Sequence, residues 1–177
     1  MQDFSIKDIK AIIGLGNPGQ KYYKNRHNIG FRIIDELANQ LSASWKSSDK
    51  MEHAQISFDS QSIHLIKPIT FMNASGQVIP FLLKKGIKPE QVLVIHDELE
   101  KKFGDISIKL GGSARGHNGL RSIIGVMGPD FWRLRFGIGR PDEKAEVGDY
   151  VLCGFSRQEE DQLESFITQV VDIILNQ

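Results

Sequence analysis

A single cysteine, Cys153, stands among the 177 residues. An intramolecular disulfide, a CxxC redox pair and a cysteine-cluster zinc site are therefore excluded, and the residue reads as a small packed side chain rather than a nucleophile. No apolar run approaches the roughly 20 residues that a membrane-spanning helix needs. The opening MQDFSIKDIK lacks the basic start and long apolar core of a secretory signal, so the expectation is a cytoplasmic protein with no membrane partner. Net charge is missing too: 22 Lys and Arg balance 22 Asp and Glu, and the whole-chain average points to no nucleic-acid partner. The composition, 40% hydrophobic, 25% charged and 8% aromatic, argues against disorder, collagen and coiled coil. No internal repeat, linker or low-complexity tract interrupts the chain. A length near the roughly 150 residues of an ordinary domain then predicts one domain, residues 1–177.

The neutral average hides a division. Residues 101–140 hold eight basic side chains against Asp105 and Asp130, whereas 141–177 hold nine acidic ones against Lys144 and Arg157. A basic segment can make an anion-binding face in a neutral molecule, although a solvated charged face accounts for the same count. The acidic tail is expected to face away from any such site.

Hydrophobic periodicity gives the elements. Residues 10–15 (KAIIGL) read as a buried strand delivering a glycine-rich loop. Phe31, Ile34, Leu37, Ala38 and Leu41 recur at helical spacing, with Asn28 as a candidate cap. Residues 54–58 and 62–66 flank a DSQ turn and suggest a hairpin. Val92 to Ile95 is an apolar run of the kind buried on both faces, and Ile106, Ile108 and Leu110 alternate with polar residues. A helix through Leu120, Ile123, Ile124 and Met127 precedes a strand through Trp132, Leu134, Phe136 and Ile138. Ser156 and Glu159 stand at capping-box spacing before a last helix. Strands interleave with helices, so the fold class is α/β, a mixed, mostly parallel central sheet with helices on both faces.

Several segments carry chemistry. Gly14-Leu-Gly16-Asn17-Pro18-Gly19 matches GxGxxG after a strand, the opening of a dinucleotide-binding fingerprint. No helix follows Gly19 at once, and Asp35 and Glu36 fall inside the amphipathic helix instead of ending a second strand. The alternative is a loop that exposes the Asn17 amide at the carboxyl edge of a sheet. His27, in Arg26-His27-Asn28, can exchange a proton near neutrality if it has a partner. Asp97, in His96-Asp97-Glu98 at the end of the buried strand, can hold an imidazole in one tautomer. Spacing of the HxxxH type is absent among the five histidines, and strand neighbours point to opposite faces, so no metal is expected. Asn73, next to Phe71 and Met72, offers a second amide; both apolar neighbours read equally well as core. Residues 109–119 (KLGGSARGHNG) form a glycine-rich loop before a helix, whose amino terminus and basic residues suit an anion, with a plain flexible turn as the alternative. Exposed amides, one histidine and one aspartate without a Ser or Cys nucleophile motif point to hydrolysis by an activated water.

Five ordered blocks, GLGNPGQKYYKNRHNIG (14–30), PITFMNASG (68–76), VIHDEL (94–99), KLGGSARGHNGLRSI (109–123) and RLRFGIGRP (133–141), resemble the bacterial-type peptidyl-tRNA hydrolases. The resemblance implies a monomeric esterase, without metal or cofactor, that cleaves the ester joining a peptide to the terminal ribose of tRNA and so recycles abandoned peptidyl-tRNA. It implies that His27 is the general base activating water and Asp97 its orienting partner. Asn17 and Asn73 would position the peptidyl part and help stabilise the oxyanion, and Asn118 would hold the water and the tRNA 3′ end. Tyr22, Phe71, Met72 and His117 would line the channel. Lys109 and Arg135 match the pair the family uses for the tRNA 5′-phosphate, and Arg133, on the same strand face as Arg135, is a further candidate.

The sequence departs from the family pattern at Asn25, where Thr is usual, at Arg115, which replaces a glycine of the loop, and in its short acidic tail. Two other readings compete: an RNA-binding module of the same fold without turnover, and a nucleotide-dependent oxidoreductase resting on the first glycines.

Overall fold

Seven strands form one mixed sheet in the order β2-β3-β4-β1-β5-β7-β6. They are β1 (Ala11–Gly14), β2 (Lys46–Ser47), β3 (Met51–Phe58), β4 (Gln61–Pro68), β5 (Val92–Glu98), β6 (Ile106–Leu110) and β7 (Trp132–Gly137). The computed structural model describes residues 3–141, 143 and 146–177. The four central strands β4, β1, β5 and β7 run parallel, and antiparallel pairings add β3 and β2 on one flank and β6 on the other. Helix α1 (Ile29–Gln40) and the long α5 (Arg157–Leu175) cover one face; α2 (Ile79–Lys84) and α3 (Asn118–Met127) cover the other. A short α4 (Val147–Val151) precedes α5.

The two cores follow from strand alternation. On β1, Ile12 packs toward α1 and α5, whereas Ala11 and Ile13 pack toward α2 and α3. On β5, Leu93 and Ile95 take the first face, Val92 and Val94 the second, which is why the run is apolar throughout. The hairpin turns through Asp59 and Ser60, both at positive φ (46° and 66°), the backbone that suits a two-residue connection between right-twisted strands. Ser156 and Glu159 close the capping box of α5 as their spacing predicts. Cys153 departs from expectation: it is exposed, in the loop between α4 and α5. Among the described residues no helix is long and apolar enough to cross a membrane.

Two devices place the segment before α1. The first is close approach: a Cβ on Gly30 would stand 2.5 Å from the Ile95 carbonyl oxygen and 2.5 Å from the Leu15 nitrogen, so only glycine lets α1 rest directly on the backbones after β1 and in β5. The second is a latch. Arg26 is 8% exposed; its guanidinium binds the Gly154 carbonyl and pairs with Glu159 at 2.9 Å, stacked over Tyr150 at 4.3 Å. Arg32 likewise pairs with Glu160 at 2.8 Å. Part of the tail's negative charge is thereby spent on two arginines of the α1 region.

Replacing Gly30 by Ala tests the first device. In an exposed helix this change stabilises by about 1 kcal/mol; here it forces backbone apart and is expected to cost about 1–3 kcal/mol in urea unfolding. A gain in stability contradicts the close-approach account.

Candidate active site

Strand β5 drives into the interior and ends on His96, Asp97 and Glu98, all buried. Asp97 is 4% exposed, and two imidazoles converge on its carboxylate. His27 Nδ1 lies 2.9 Å and 3.0 Å from its two oxygens, and His117 Nε2 lies 3.0 Å from Oδ1. A carboxylate can only accept, so both ring nitrogens donate. His27 arrives from the turn before α1; His117 is the N-cap of α3, and its Nδ1 accepts from the main-chain N–H groups of Gly119 and Leu120 at 3.2 Å and 3.3 Å. Both nitrogens of His117 are therefore committed. His27 keeps one bare lone pair, on Nε2.

Electrostatics favour an ionised Asp97 and make His27 a stronger base. Burial works against charge on His27, but the Asp97 charge and hydrogen bond outweigh it and move its pKa up. Burial likewise works against the Asp97 carboxylate, yet the His27 and His117 charges and hydrogen bonds hold its pKa well below the usual carboxylate range. His96 goes the other way: burial, reinforced by His117, pushes it down to about 3, so it is neutral near pH 7.

Asparagines shape the next layer. Asn28 stands at the N-cap position of α1 but caps nothing with its side chain. Its Oδ1 accepts from the Asn17 N–H and its Nδ2 donates to the Asn17 carbonyl, both at 2.9 Å. This two-point staple fixes the glycine-rich loop. Asn17 Oδ1 in turn accepts from the Met72 N–H at 2.8 Å, which leaves the Nδ2 of Asn17 as its outward donor. Asn17 also lines a cleft of about 370 Å³ together with Tyr23, Phe31, Asp35, Glu52 and Lys67. Asn73 and Asn118 are exposed at the starts of two segments that pack on each other, tied by the Gly76 N–H donating to Ser122 Oγ at 2.8 Å.

The basic segment divides by burial. Arg133 is 2% exposed, and its guanidinium donates to the carbonyls of Ser113, Gly112 and Pro129 over the ring of Phe131. It braces the glycine-rich loop from beneath. Lys109 and Arg135 are half-buried, with Glu98 as the nearest acid, 3.9 Å from Arg135. Partial burial and the charges of Arg135, Arg115 and Arg133 move the Lys109 pKa down, the mark of a cationic cluster short of anions. Gly112, at φ +114°, leaves room for the Lys109 ammonium, which a Cβ there would approach to 2.8 Å. Arg115 adopts φ +46°, a left-handed backbone that glycine takes without cost.

The structure thus brings His27, Asp97 and His117 together, with Asn17 on the loop staple. It departs from the sequence reading in three places. Met72 is core, and its main chain rather than its side chain meets the site. Tyr22 is partly buried with the Lys21 ammonium over its ring, and its neighbour Tyr23 lines the cleft beside Asn17. The amino terminus of α3 is occupied by its own His117 rather than left open to an anion. Arg133 is inward. Phe71 is an exposed aromatic, 61% accessible, beside Asn73.

Sequence spacing also missed the one candidate metal set among the described residues, since His27, Asp97 and His117 lie within 4.8 Å by ligand atom yet far apart in the chain. Their protons fit hydrogen bonding better: the His117 Nδ1 contacts fix its proton on Nε2, facing Asp97.

Comparisons with known proteins give the family. The family described as Peptidyl-tRNA hydrolase matches residues 11–176. The chain is 42% identical over 170 residues to the peptidyl-tRNA hydrolase of Sulfurihydrogenibium sp. (strain YO3AOP1), covering 95% of this chain and 90% of that protein. It is 41% identical over 171 residues to that of Aquifex aeolicus (strain VF5), covering 95% and 89%. The crystal structure of peptidyl-tRNA hydrolase from Acinetobacter baumannii superposes with a TM-score of 0.91 at 36% identity, covering 97% of this chain and 89% of that one.

The pH behaviour follows from the pair. Because the folded pKa of His27 is raised, its contribution to stability is full below about 6.5 and is lost as pH rises through the folded value. That of Asp97, whose folded pKa is lowered, is full above about 3.9 and is lost as pH falls through its folded value. Substituting Asp97→Asn leaves burial unopposed, so NMR titration should find His27 at a lower pKa than in the parent; an equal or higher value contradicts the assigned pairing.

Proposed function

The chain belongs to the peptidyl-tRNA hydrolase family and shares its enzymatic activity, and from that premise we propose how its residues divide the work. His27 Nε2 takes a proton from water, which attacks the ester carbonyl carbon. Asp97 holds the opposite Nδ1–H and stabilises the imidazolium that forms. The collapsing tetrahedral intermediate releases the ribose oxygen, which recovers the proton from His27. The amide of Asn17, with its own oxygen pinned by Met72, is a fixed donor to the developing oxyanion, and Asn73 supports it. Asn118 orients the water and the tRNA 3′ end. The observation that carries this reading is the His27–Asp97 contact of 2.9 Å with the other His27 nitrogen left bare.

The substrate of the family is peptidyl-tRNA, and the finer contacts are part of the proposal. Phe71 and Tyr23 offer surfaces for the peptide and terminal nucleotide. Lys109 and Arg135 meet the 5′-phosphate, and Arg133 acts indirectly by bracing their loop. One chain supplies every residue named, so a monomer suffices, and the cytoplasm is where tRNA would meet it.

Neutral amides also suggest how free aminoacyl-tRNA is refused: they pair with a peptide amide and leave an α-ammonium poorly satisfied. Hydrolysis of N-acetyl-aminoacyl-tRNA should survive a chelator and fall by on the order of 10²–10⁴ in kcat with His27→Ala. Loss of activity to the chelator, or an active His27→Ala, removes the mechanism; RNA binding without turnover would favour the module instead. Lys109→Ala and Arg135→Ala should each weaken tRNA binding and shallow its salt dependence by about one unit of log–log slope. A minimal nucleotide ester should be little affected, and equal losses on both substrates would place these residues at the chemistry.

A further inference from the structure

His96 makes no hydrogen bond to the side chains of the water-activating pair, yet it sits between that pair and the basic cluster. Strand register explains why. His96 on β5 stands opposite Arg135 on β7, and Arg135 stands opposite Ser107 on β6; in the next row Lys109 stands opposite Arg133. Residues in register point to the same face, so His96 shares the α3 side with the cationic groups while Asp97 turns to the other.

The atoms of this row are unusual. His96 is 3% exposed, and its Nδ1–H donates to the Asp97 carbonyl at 2.7 Å. Its Nε2 is a buried acceptor with no partner. Arg135 Nε, Arg133 Nε and Ser107 Oγ are buried without partners too. Buried polar atoms of native proteins are rarely left in this state, and four on one sheet face mark a place built to receive something polar. A pocket of about 30 Å³, room for about one water, is lined by His96, Lys109, Arg133 and Arg135 together with Asp97, Glu98 and His117. The His96 ring also meets the His117 ring edge-on at 5.2 Å. Both holders of Asp97, its main chain and His117, are therefore in contact with His96.

We propose that His96 is a positioning residue that couples binding of the tRNA 5′-phosphate at Lys109 and Arg135, outside this one-water pocket, to the geometry of the His27–Asp97 pair. This rests on the phosphate reading of those two residues given above. A hydrated phosphate engages Lys109 and Arg135, and an O–H from its hydration shell donates to His96 Nε2. Accepting that bond polarises the ring and strengthens its Nδ1–H bond to the Asp97 carbonyl. Correct docking of the tRNA end thus firms the carboxylate that orients the base.

The test compares N-acetyl-aminoacyl-tRNA with and without its 5′-phosphate, in the parent protein and in His96→Asn. Asparagine can keep a donor toward the Asp97 carbonyl but has no acceptor at the Nε2 position. In the parent, the phosphate should raise kcat by about 5-fold or more, besides any effect on KM. In His96→Asn the kcat effect should vanish while the KM effect stays, a split that a merely structural role would not produce. A kcat effect that persists in His96→Asn, or a parent in which phosphate changes KM alone, overturns the coupling and leaves the phosphate site standing. A parent indifferent to phosphate in both constants overturns that site as well. Should the variant fold poorly, the ¹⁵N signal of His96 Nε2 in the parent decides: it should move on adding a 5′-phosphorylated acceptor-stem RNA and stay fixed with the unphosphorylated one. Identical responses to both RNAs contradict the proposal.

Discussion

One buried carboxylate receives protons from two histidines that enter from opposite faces of the sheet, and the site is organised around that convergence. Asp97 can stay ionised at 4% exposure only because His27 and His117 both donate to it. In return it fixes which nitrogen of each ring carries the proton. His117 has none left to offer, since α3 uses its Nδ1 as a cap. The asymmetry leaves one imidazole with a bare nitrogen and the other with none, although both touch the same oxygen; in the proposed mechanism the first is the reagent and the second a support.

Main-chain hydrogen bonds hold the remaining groups, often through side chains that read as something else in sequence. Asn28 staples the first loop, Met72 contributes its N–H, and Arg133 braces the second loop through carbonyls. Such contacts keep the loops from relaxing independently of the sheet. They also join the basic edge of β6 and β7 to the end of β5, so the proposed phosphate contacts and proton transfer would share one mechanical frame.

Much of this was legible beforehand, for reasons tied to particular residues. The apolar runs of β1 and β5, the stripe through Phe31 and Leu37, and the Ser156–Glu159 cap are local signals that packing reinforces. The identities of His27, Asp97 and the asparagines followed from the resemblance, and chemistry made them sensible. What stayed hidden depends on strand order and register, which periodicity does not encode. No spacing rule pairs His117 with a residue 20 positions earlier. Alternation correctly put Arg133 and Arg135 on one face but could not tell that α3 and its loop bury the first. Asn28 looked like a helix cap because its position is one; only the fold shows that its amide is used elsewhere. The left-handed backbone at Arg115 gives a physical reason for the glycine usual there.

The central claim is that His27 presents a bare Nε2 to solvent because Asp97 holds the proton on Nδ1. The ¹⁵N chemical shifts of the His27 ring, followed to pH values above its raised pKa where the ring is neutral, read this directly. The account predicts a protonated Nδ1 and an unprotonated Nε2; a protonated Nε2 with a bare Nδ1 would contradict it.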